Sequence, residues 1–326
     1  MLPLYLLAFA SVFFLMMFLM PQFLKLAHKF DFTDKPTERK KHRDPMPLSG
    51  GVAMFVAFFV GFLIFVIHQA PEMWAPEMWV ILLGAFMIVM VGLVDDYSKS
   101  KGKEFPVWPR LMVHILTAVV AFLGGIRFTG FFNHFTGYYL YLPLWLQFTL
   151  TVLWIVGLIT VFNFMDGLDG LSGLLALVAG STFFIVAMYM GQTDSAMLAV
   201  VFIAAVAGFL RFNLPPAKVY MGDSGAYLLG FLLASISLQG TFKQATVVSL
   251  IIPMLALGVP IFDTVLVVAR RIMAKKPAHI ADSSDITHIH YRLLKRGISP
   301  KHAVLLIVLV STCLSLTSII LLLAFQ

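Results

Sequence analysis

Cysteine and charge are both scarce in this sequence. The single cysteine, Cys313, excludes an intramolecular disulfide framework and a CxxC metal site. Charged residues make up 12% of the 326 residues and hydrophobic residues 60%, whereas soluble domains average about 25% charged and about 45–50% apolar. A soluble core does not need this much apolar surface, so the composition predicts an integral membrane protein.

Basic residues are also missing ahead of the first apolar run and come only at its end. A cleaved signal peptide has the opposite order. We therefore expect an uncleaved helix whose N-terminus faces outward.

Apolar runs long enough to cross a bilayer recur along the whole chain. They lie near residues 3–26, 48–68, 77–94, 109–126, 145–163, 170–190, 195–211, 225–241, 246–269 and 302–325. The sequence thus predicts an all-α, polytopic membrane protein with about ten transmembrane helices, in which residues 1–326 form a single transmembrane catalytic domain. Pro253 and Pro260 predict a kink in the ninth span.

The basic residues follow the predicted topology. All but Arg127 and Lys243, which is 21 of the 23 Lys and Arg residues, lie in or beside the loops on one side. The positive-inside rule makes this side cytoplasmic and puts both termini outside. Because the cations are divided among separate loops, without a groove of interleaved aromatics, nucleic-acid binding is disfavoured. In the outer stretch 126–142, an interfacial aromatic belt is favoured over a short hairpin.

Two adjacent acids, Asp95 and Asp96, end the third span. Negative charge at a helix C-terminus opposes the helix macrodipole, and the two carboxylates repel each other. A divalent-cation or general-base site is therefore favoured over a solvated pair of acids.

Two further acidic motifs follow, each at the start of a predicted span. In the first, Asp166 and Asp169 share one face if the segment is helical, and neighbouring glycines allow close approach of a ligand. One acid could be a helix cap, but two acids together with Asn163 exceed what a cap needs. In the second, 220–225, capping by Asp223 or Ser224 is the alternative, and the helix N-terminus is itself an anion site.

The region 270–301 combines eight Lys and Arg residues with His288 and His290. Topology and attraction to anionic lipid explain most of the cations. Two histidines without a third ligand make a poor zinc site, and since residues two apart do not share a helix face, binding one ligand would need an extended segment or a turn. Asp263, inside an apolar span, is a functional candidate.

These acids provide hard oxygen ligands beside a basic surface. Mg²⁺ prefers such ligands and is commonly completed by substrate phosphates. The pattern favours Mg²⁺-assisted phosphoryl transfer at the cytoplasmic membrane surface. A transporter is disfavoured because no internal repeat is visible and the polar motifs gather at one surface.

Over nearly its whole length the chain resembles the polyprenyl-phosphate N-acetylhexosamine-1-phosphate transferases (glycosyltransferase 4 family). The motifs that carry the resemblance are Asp95-Asp96-Tyr97, 163–171, 220–225, 260–263 and His288-Ile289-His290. The resemblance implies an enzyme of the bacterial cytoplasmic (inner) membrane. A polyprenyl phosphate such as undecaprenyl phosphate attacks the β-phosphate of a UDP-amino sugar, giving polyprenyl-diphospho-sugar and UMP, with Mg²⁺ (alternatively Mn²⁺) as cofactor. A homodimer is left open.

The resemblance also implies roles for individual residues. The metal ligands would be Asp223 and Asn163. The catalytic residues would be Asp95, Asp96, Asp166, His288 and His290. The substrate-binding residues would be Asp169, Tyr220, Lys41, Arg43, Arg110, Asp263 and Arg292.

The loop 287–294 indicates the branch of the family. Pentapeptide transferases carry a triple histidine followed by Phe and Glu, whereas this loop places Tyr291 where another histidine is common. It is more similar to the branch that uses UDP-GlcNAc to prime teichoic acid, O-antigen or another surface glycan. Transfer of phospho-MurNAc-pentapeptide in peptidoglycan synthesis is the alternative.

Overall fold

Helices make up most of the chain. A computed structural model describes residues 1–34, 45–67, 76–133, 138–239, 247–273 and 288–324. Within these residues the α-helices are α1 (Leu2–Lys29), α2 (Gly50–Phe62), α3 (Pro76–Ser100), α4 (Val107–Leu123), α5 (Leu144–Met165), α6 (Leu171–Tyr189), α7 (Thr193–Asn213), α8 (Gly222–Gln239), α9 (Val247–Ala256), α10 (Gly258–Met273), α11 (Ile289–Lys295) and α12 (Pro300–Ala324). The strands are β1 (Thr33–Asp34), β2 (Met46–Pro47), β3 (Gly130–Asn133) and β4 (Tyr138–Tyr141). A π-helical turn, Leu63–Ile67, continues α2.

Six described helices are long and apolar enough to cross a membrane, namely α1, α3, α5, α6, α7 and α12. The apolar helices around α2 and α4 are shorter. The predicted all-α, polytopic membrane fold is confirmed, while the number of ten spans stays a prediction.

Helix α8 forms the centre of the bundle, and all of its 18 residues are buried. It packs chiefly against α2, α3 and α5. Because neighbouring helices surround it, its polar residues need partners inside the protein: the Ser235 hydroxyl donates to the Phe231 carbonyl, and Trp154 Nε1 donates to Ser237 Oγ. Gly92 on α3 allows the close approach, since a Cβ there would clash with the backbone of Ser224.

The predicted ninth span is divided into two helices. Helix α9 contains Pro253, and α10 begins at Gly258 with Pro260 as its third residue. Pro260 has no N–H to donate, so the carbonyl of Ala256 lacks its helical partner at this point. The predicted kink is thus a break at Leu257.

The two short sheets lie in loops. β3 and β4 pair in antiparallel register, with Gly130 opposite Tyr141, so the hairpin ranked below an aromatic belt does form. β1 pairs with β2. The Pro47 carbonyl of β2 accepts a hydrogen bond from Tyr220 N, and Gly50 N donates to the Tyr220 carbonyl. These bonds fix the start of α2 against the segment that leads into α8.

Candidate active site

A cluster of ion pairs lies where the end of α3 meets the first turns of α4 and α8. Arg110 Nη1 is 2.7 Å from Asp95 Oδ2 and 3.9 Å from Asp223 Oδ2. Lys99 Nζ is 2.6 Å from Asp223 Oδ2. Both carboxylates are buried, and two cations compensate them, as buried charges require.

Tyr227 joins the two carboxylates. Its hydroxyl lies 3.2 Å from Asp223 Oδ2 and 3.3 Å from Asp95 Oδ2. The His114 ring packs edge-on against the phenol, with centroids 4.7 Å apart. The cluster therefore includes two aromatic side chains that sequence analysis did not single out.

A helical spacing would have found the missed residues. Lys99 follows Asp95 by four positions, and Tyr227 follows Asp223 by four. His114 follows Arg110 by the same interval. Residues four apart lie on one helix face, so each of these polar residues predicts that the residue one turn along the same helix faces the same site.

Asp96 holds the start of α8. Its Oδ1 accepts from Asp223 N at 2.7 Å, and its Oδ2 accepts from Ser224 N at 3.0 Å and Ser224 Oγ at 2.8 Å. Gly222, in the left-handed region at φ 68°, lies against this carboxylate. The anion predicted at this helix N-terminus is thus provided by the protein itself. The arrangement supports a positioning role for Asp96, a residue predicted to be catalytic.

The loop 166–170 lies between the other parts of the site. Asp166 is exposed, accepts from Ser172 Oγ at 2.9 Å, and senses the charges of Asp223 and Lys99. The surrounding protein raises the pKa of Asp166 to about 7, chiefly by desolvation. Asp166 therefore lies at the exposed end of the bundle, close to the charged cluster.

A second set of contacts ties this loop to residues 214–220. Asp169 Oδ2 accepts from Ala217 N at 3.0 Å. Asn213 Oδ1 accepts from Gly170 N at 3.0 Å, while its Nδ2 donates to the Val219 carbonyl at 2.8 Å. The arrangement brings Asp169 near Tyr220. Desolvation, followed by the charge of Asp169, raises the pKa of Tyr220 to about 12, so its phenol stays protonated.

The histidine motif is anchored to α10. His288 Nδ1 lies 2.7 Å from Asp263 Oδ2, and Ile289 N donates to Asp263 Oδ1 at 2.8 Å. His288 precedes α11 in an extended conformation with ψ 152°, whereas His290 lies in the first turn of that helix, so the histidine segment is extended only in part. Both oxygens of Asp263 are thus engaged by this loop, which supports an anchoring role for a residue predicted to bind substrate.

His290 is fully buried and stacks on His288, with ring centroids 5.8 Å apart. Within the described residues, neither of its ring nitrogens has a hydrogen-bond partner. Gly167 lies directly against its Nε2, where a Cβ would collide. Desolvation lowers the pKa of His290 to about 4, with the neighbouring His288 as the second cause, so its ring is neutral near pH 7.

The structure brings most of the predicted site residues to one end of the bundle. Asn163 lies in the last turn of α5, half-buried, and Arg292 lies on α11 without a salt bridge to any described residue. Lys41 and Arg43 lie outside the described residues.

The donor chemistry of the carboxylate cluster fits a hard divalent cation. Asp95 Oδ1 is buried and has no hydrogen-bond partner in the part of the chain that the structure describes. No group of three or more His, Cys, Asp or Glu side chains in this part is arranged to hold a metal. Mg²⁺ is commonly held by one or two carboxylates, with waters and substrate phosphates completing its shell, so such an ion does not require a larger cluster of protein ligands.

Comparison with known proteins bears on what this site does. The family model described as glycosyl transferase family 4 matches residues 78–241, which is half of the chain. The chain belongs to glycosyl transferase family 4. The matched region extends from α3 into the segment after α8 and includes Asp95, Asp169 and Asp223.

Curated relatives of this family match most of the chain. The probable undecaprenyl-phosphate N-acetylglucosaminyl 1-phosphate transferase of Bacillus subtilis (strain 168) is 35% identical over 297 residues, covering 91% of this chain and 79% of the relative. The undecaprenyl-phosphate alpha-N-acetylglucosaminyl 1-phosphate transferase of Salmonella typhi is 28% identical over 299 residues, covering 89% and 77%. The protein of the same name from Escherichia coli (strain K12) is 26% identical over 297 residues, with the same coverage.

Proposed function

We propose that this protein transfers GlcNAc-1-phosphate from UDP-GlcNAc to undecaprenyl phosphate, giving undecaprenyl-diphospho-GlcNAc and UMP. The observation that carries the proposal is the buried cluster of Asp95, Arg110, Asp223 and Lys99. It combines carboxylates and fixed cations at one end of a membrane bundle. The names of the relatives support the choice of lipid and sugar.

The reaction exchanges one phosphoanhydride bond for another. An oxygen of the lipid phosphate attacks the β-phosphorus of UDP-GlcNAc, and the bond from that phosphorus to the bridging oxygen breaks, so that UMP leaves with that oxygen. Asp95 Oδ1 would orient the lipid phosphate, or accept its proton where it carries one. Arg110 and Lys99 would stabilise the negative charge on the phosphates in the transition state.

Asp223 and Asn163 would hold Mg²⁺, or alternatively Mn²⁺. When bound, this ion supplies a Lewis acid for the diphosphate. In the structure the Lys99 ammonium lies 2.6 Å from Asp223 Oδ2 and keeps the buried carboxylate charged, as a metal ligand must be.

The residues that surround the carboxylate cluster would bind the two ends of the sugar nucleotide. Asp169 and the protonated phenol of Tyr220 offer an acceptor and a donor for the uracil. The histidine loop would face the sugar diphosphate.

The location follows from the basic loops. The site would face the cytoplasm, where UDP-sugars are present, in a bacterial cytoplasmic membrane. The lipid product would be the first intermediate of a cell-surface glycan such as teichoic acid or O-antigen.

The test is UMP release by detergent-purified protein supplied with undecaprenyl phosphate and Mg²⁺. One reaction receives UDP-GlcNAc and a parallel one receives UDP-MurNAc-pentapeptide at the same concentration. We expect UMP with UDP-GlcNAc alone, and omission of Mg²⁺ should remove it. Asp223→Asn should lower turnover by about 10²-fold or more, whereas Asp194→Asn, the same change in the first turn of α7, should leave it unchanged.

Each other outcome has a defined meaning. UMP release with UDP-MurNAc-pentapeptide alone would support the same type of phosphoryl transfer but would overturn GlcNAc as the sugar. If neither reaction releases UMP, although the protein elutes as a single folded species, the proposed transferase function is overturned. Near-normal turnover of Asp223→Asn would overturn its role as metal ligand.

A further inference from the structure

Tyr227 lies deeper in the bundle than the carboxylates it contacts. It is one turn further along α8 than Asp223 and is 1% exposed. From below the site, its hydroxyl reaches the Oδ2 atoms of both Asp95 and Asp223. One buried hydroxyl therefore meets two acids from two different helices.

The convergence of these two oxygens needs an explanation, because like charges repel in a buried site. Arg110 contributes one cation between them. The Tyr227 hydroxyl has a single hydrogen, so it donates to one Oδ2 at a time and keeps the other within reach. Loss of the hydroxyl would leave the two Oδ2 atoms held only by Arg110 and Lys99 among the described side chains.

The phenol ring is itself held in place. The His114 ring meets it at an interplanar angle of 74°, the edge-on arrangement that aromatic pairs prefer. His114 is 6% exposed and lies on α4, one turn below Arg110. A ring on α4 thus fixes a phenol on α8 beneath the site.

We propose that Tyr227 is a positioning residue, supported by His114, that fixes the mutual orientation of Asp95 and Asp223. The inference rests on the proposed transferase function. Tyr227 acts through the two carboxylates, and its hydrogen bonds and ring contact within the described residues are to Asp95, Asp223 and His114. Its hydroxyl therefore governs the rate of phosphoryl transfer and leaves the binding of both substrates largely unchanged.

The test compares two buried tyrosines. Tyr227→Phe removes the hydroxyl and keeps the ring; we expect kcat to fall about tenfold or more, because small errors in placement are costly in catalysis. The KM values for UDP-GlcNAc and undecaprenyl phosphate should stay within about twofold. The matched control is Tyr5→Phe. Tyr5 is 2% exposed and packs edge-on against Phe184 at 5.5 Å, so its variant should keep the wild-type kcat.

A double-mutant cycle tests the support from His114. His114→Ala should lower kcat less than Tyr227→Phe does. The double variant should be no slower than Tyr227→Phe alone, because both changes act through the same hydroxyl. If the two effects multiply instead, His114 does not act through Tyr227.

The outcomes separate this inference from the proposed function. Turnover of the wild-type protein tests the function, and the ratio of variant to wild type tests Tyr227. An unchanged kcat in Tyr227→Phe would overturn the positioning role, as would a rise in KM with kcat intact. An equal loss of kcat in Tyr5→Phe would also overturn it, since loss of any buried hydroxyl would then suffice.

Discussion

Replacing Asp95 or Asp96 with asparagine makes the same chemical change at adjacent buried positions, yet we expect different consequences. Both variants should lose most of their turnover. Asp95→Asn should do so without loss of stability, because the Oδ1 of Asp95 has no hydrogen-bond partner to lose among the described residues. Asp96→Asn should also destabilise the fold, because it removes the acceptor for the start of α8.

The size of the difference follows from the hydrogen bonds. Asp96 accepts three, from Asp223 N, Ser224 N and Ser224 Oγ. An asparagine keeps one acceptor oxygen and turns an N–H₂ group toward the remaining donors. Loss of one charge-assisted bond costs about 1.5–3 kcal/mol, and a buried donor without a partner adds about 1–3 kcal/mol. We expect Asp96→Asn to lower the free energy of unfolding by about 3 kcal/mol in total.

The surroundings of Asp95 differ from those of Asp96. Its Oδ1 has no partner among the described residues, so the amide nitrogen of Asp95→Asn meets no opposing donor there. The amide oxygen still accepts from Arg110 at the position of Oδ2. The weaker pairing with Arg110 is offset by the relief of repulsion with Asp223. The change in stability should stay below about 1 kcal/mol.

Thermal unfolding in detergent, followed by intrinsic fluorescence of the five tryptophans, measures the difference. UMP release is measured on the same preparations. The reasoning is refuted if the two variants have the same melting temperature, or if Asp95→Asn has the lower one. Wild-type turnover in Asp95→Asn would remove its proposed role.

Two further changes test the 166–170 loop. Gly167→Ala places a Cβ against His290 Nε2 and should lower turnover by about tenfold or more by displacing the histidine loop; Gly157→Ala on α5, where a Cβ meets nothing within 4 Å, is the control and should be neutral. The second change concerns Asp166. Its pKa of about 7 in the folded protein exceeds the usual value of about 3.9, so its contribution to stability is complete below about pH 4 and is lost as the pH rises through 7. Asp166→Asn should therefore flatten the fall of melting temperature between pH 5 and pH 8, and an unaltered slope would contradict the raised pKa.

The sequence was sufficient for the helical membrane fold because long apolar runs are a local signal. It also placed Asp166, Asp169 and Asp223 at or near helix ends, whereas α3 continues to Ser100 and so extends past Asp95 and Asp96. It did not reveal the pairing of α3 with α8, in which Asp96 meets Asp223 N across 127 positions of the chain. No periodicity encodes such a contact, so the sequence alone does not distinguish the surroundings of Asp96 from those of Asp95.

The same reasoning explains why Lys99 was missed. The positive-inside rule already explains a cation in this basic loop. The sequence therefore did not predict the ion pair of Lys99 with Asp223. Tyr227 and His114 were missed because aromatic residues inside an apolar span need no special explanation. In each case the residue type is ordinary for its position, so nothing in the sequence pointed to a specific partner on another helix.

The acidic residues at this end of the bundle form two groups, according to whether both of their carboxylate oxygens already accept hydrogen bonds. Both oxygens of Asp96 and Asp263 are engaged by groups at the start of a following helix, α8 or α11. Asp95 instead retains a buried oxygen without a partner among the described residues. A carboxylate whose lone pairs already serve the backbone has little left for a substrate, whereas an unpaired buried oxygen is costly unless a ligand uses it. Proximity in sequence is therefore a poor guide to shared function here, since the adjacent Asp95 and Asp96 fall into opposite classes.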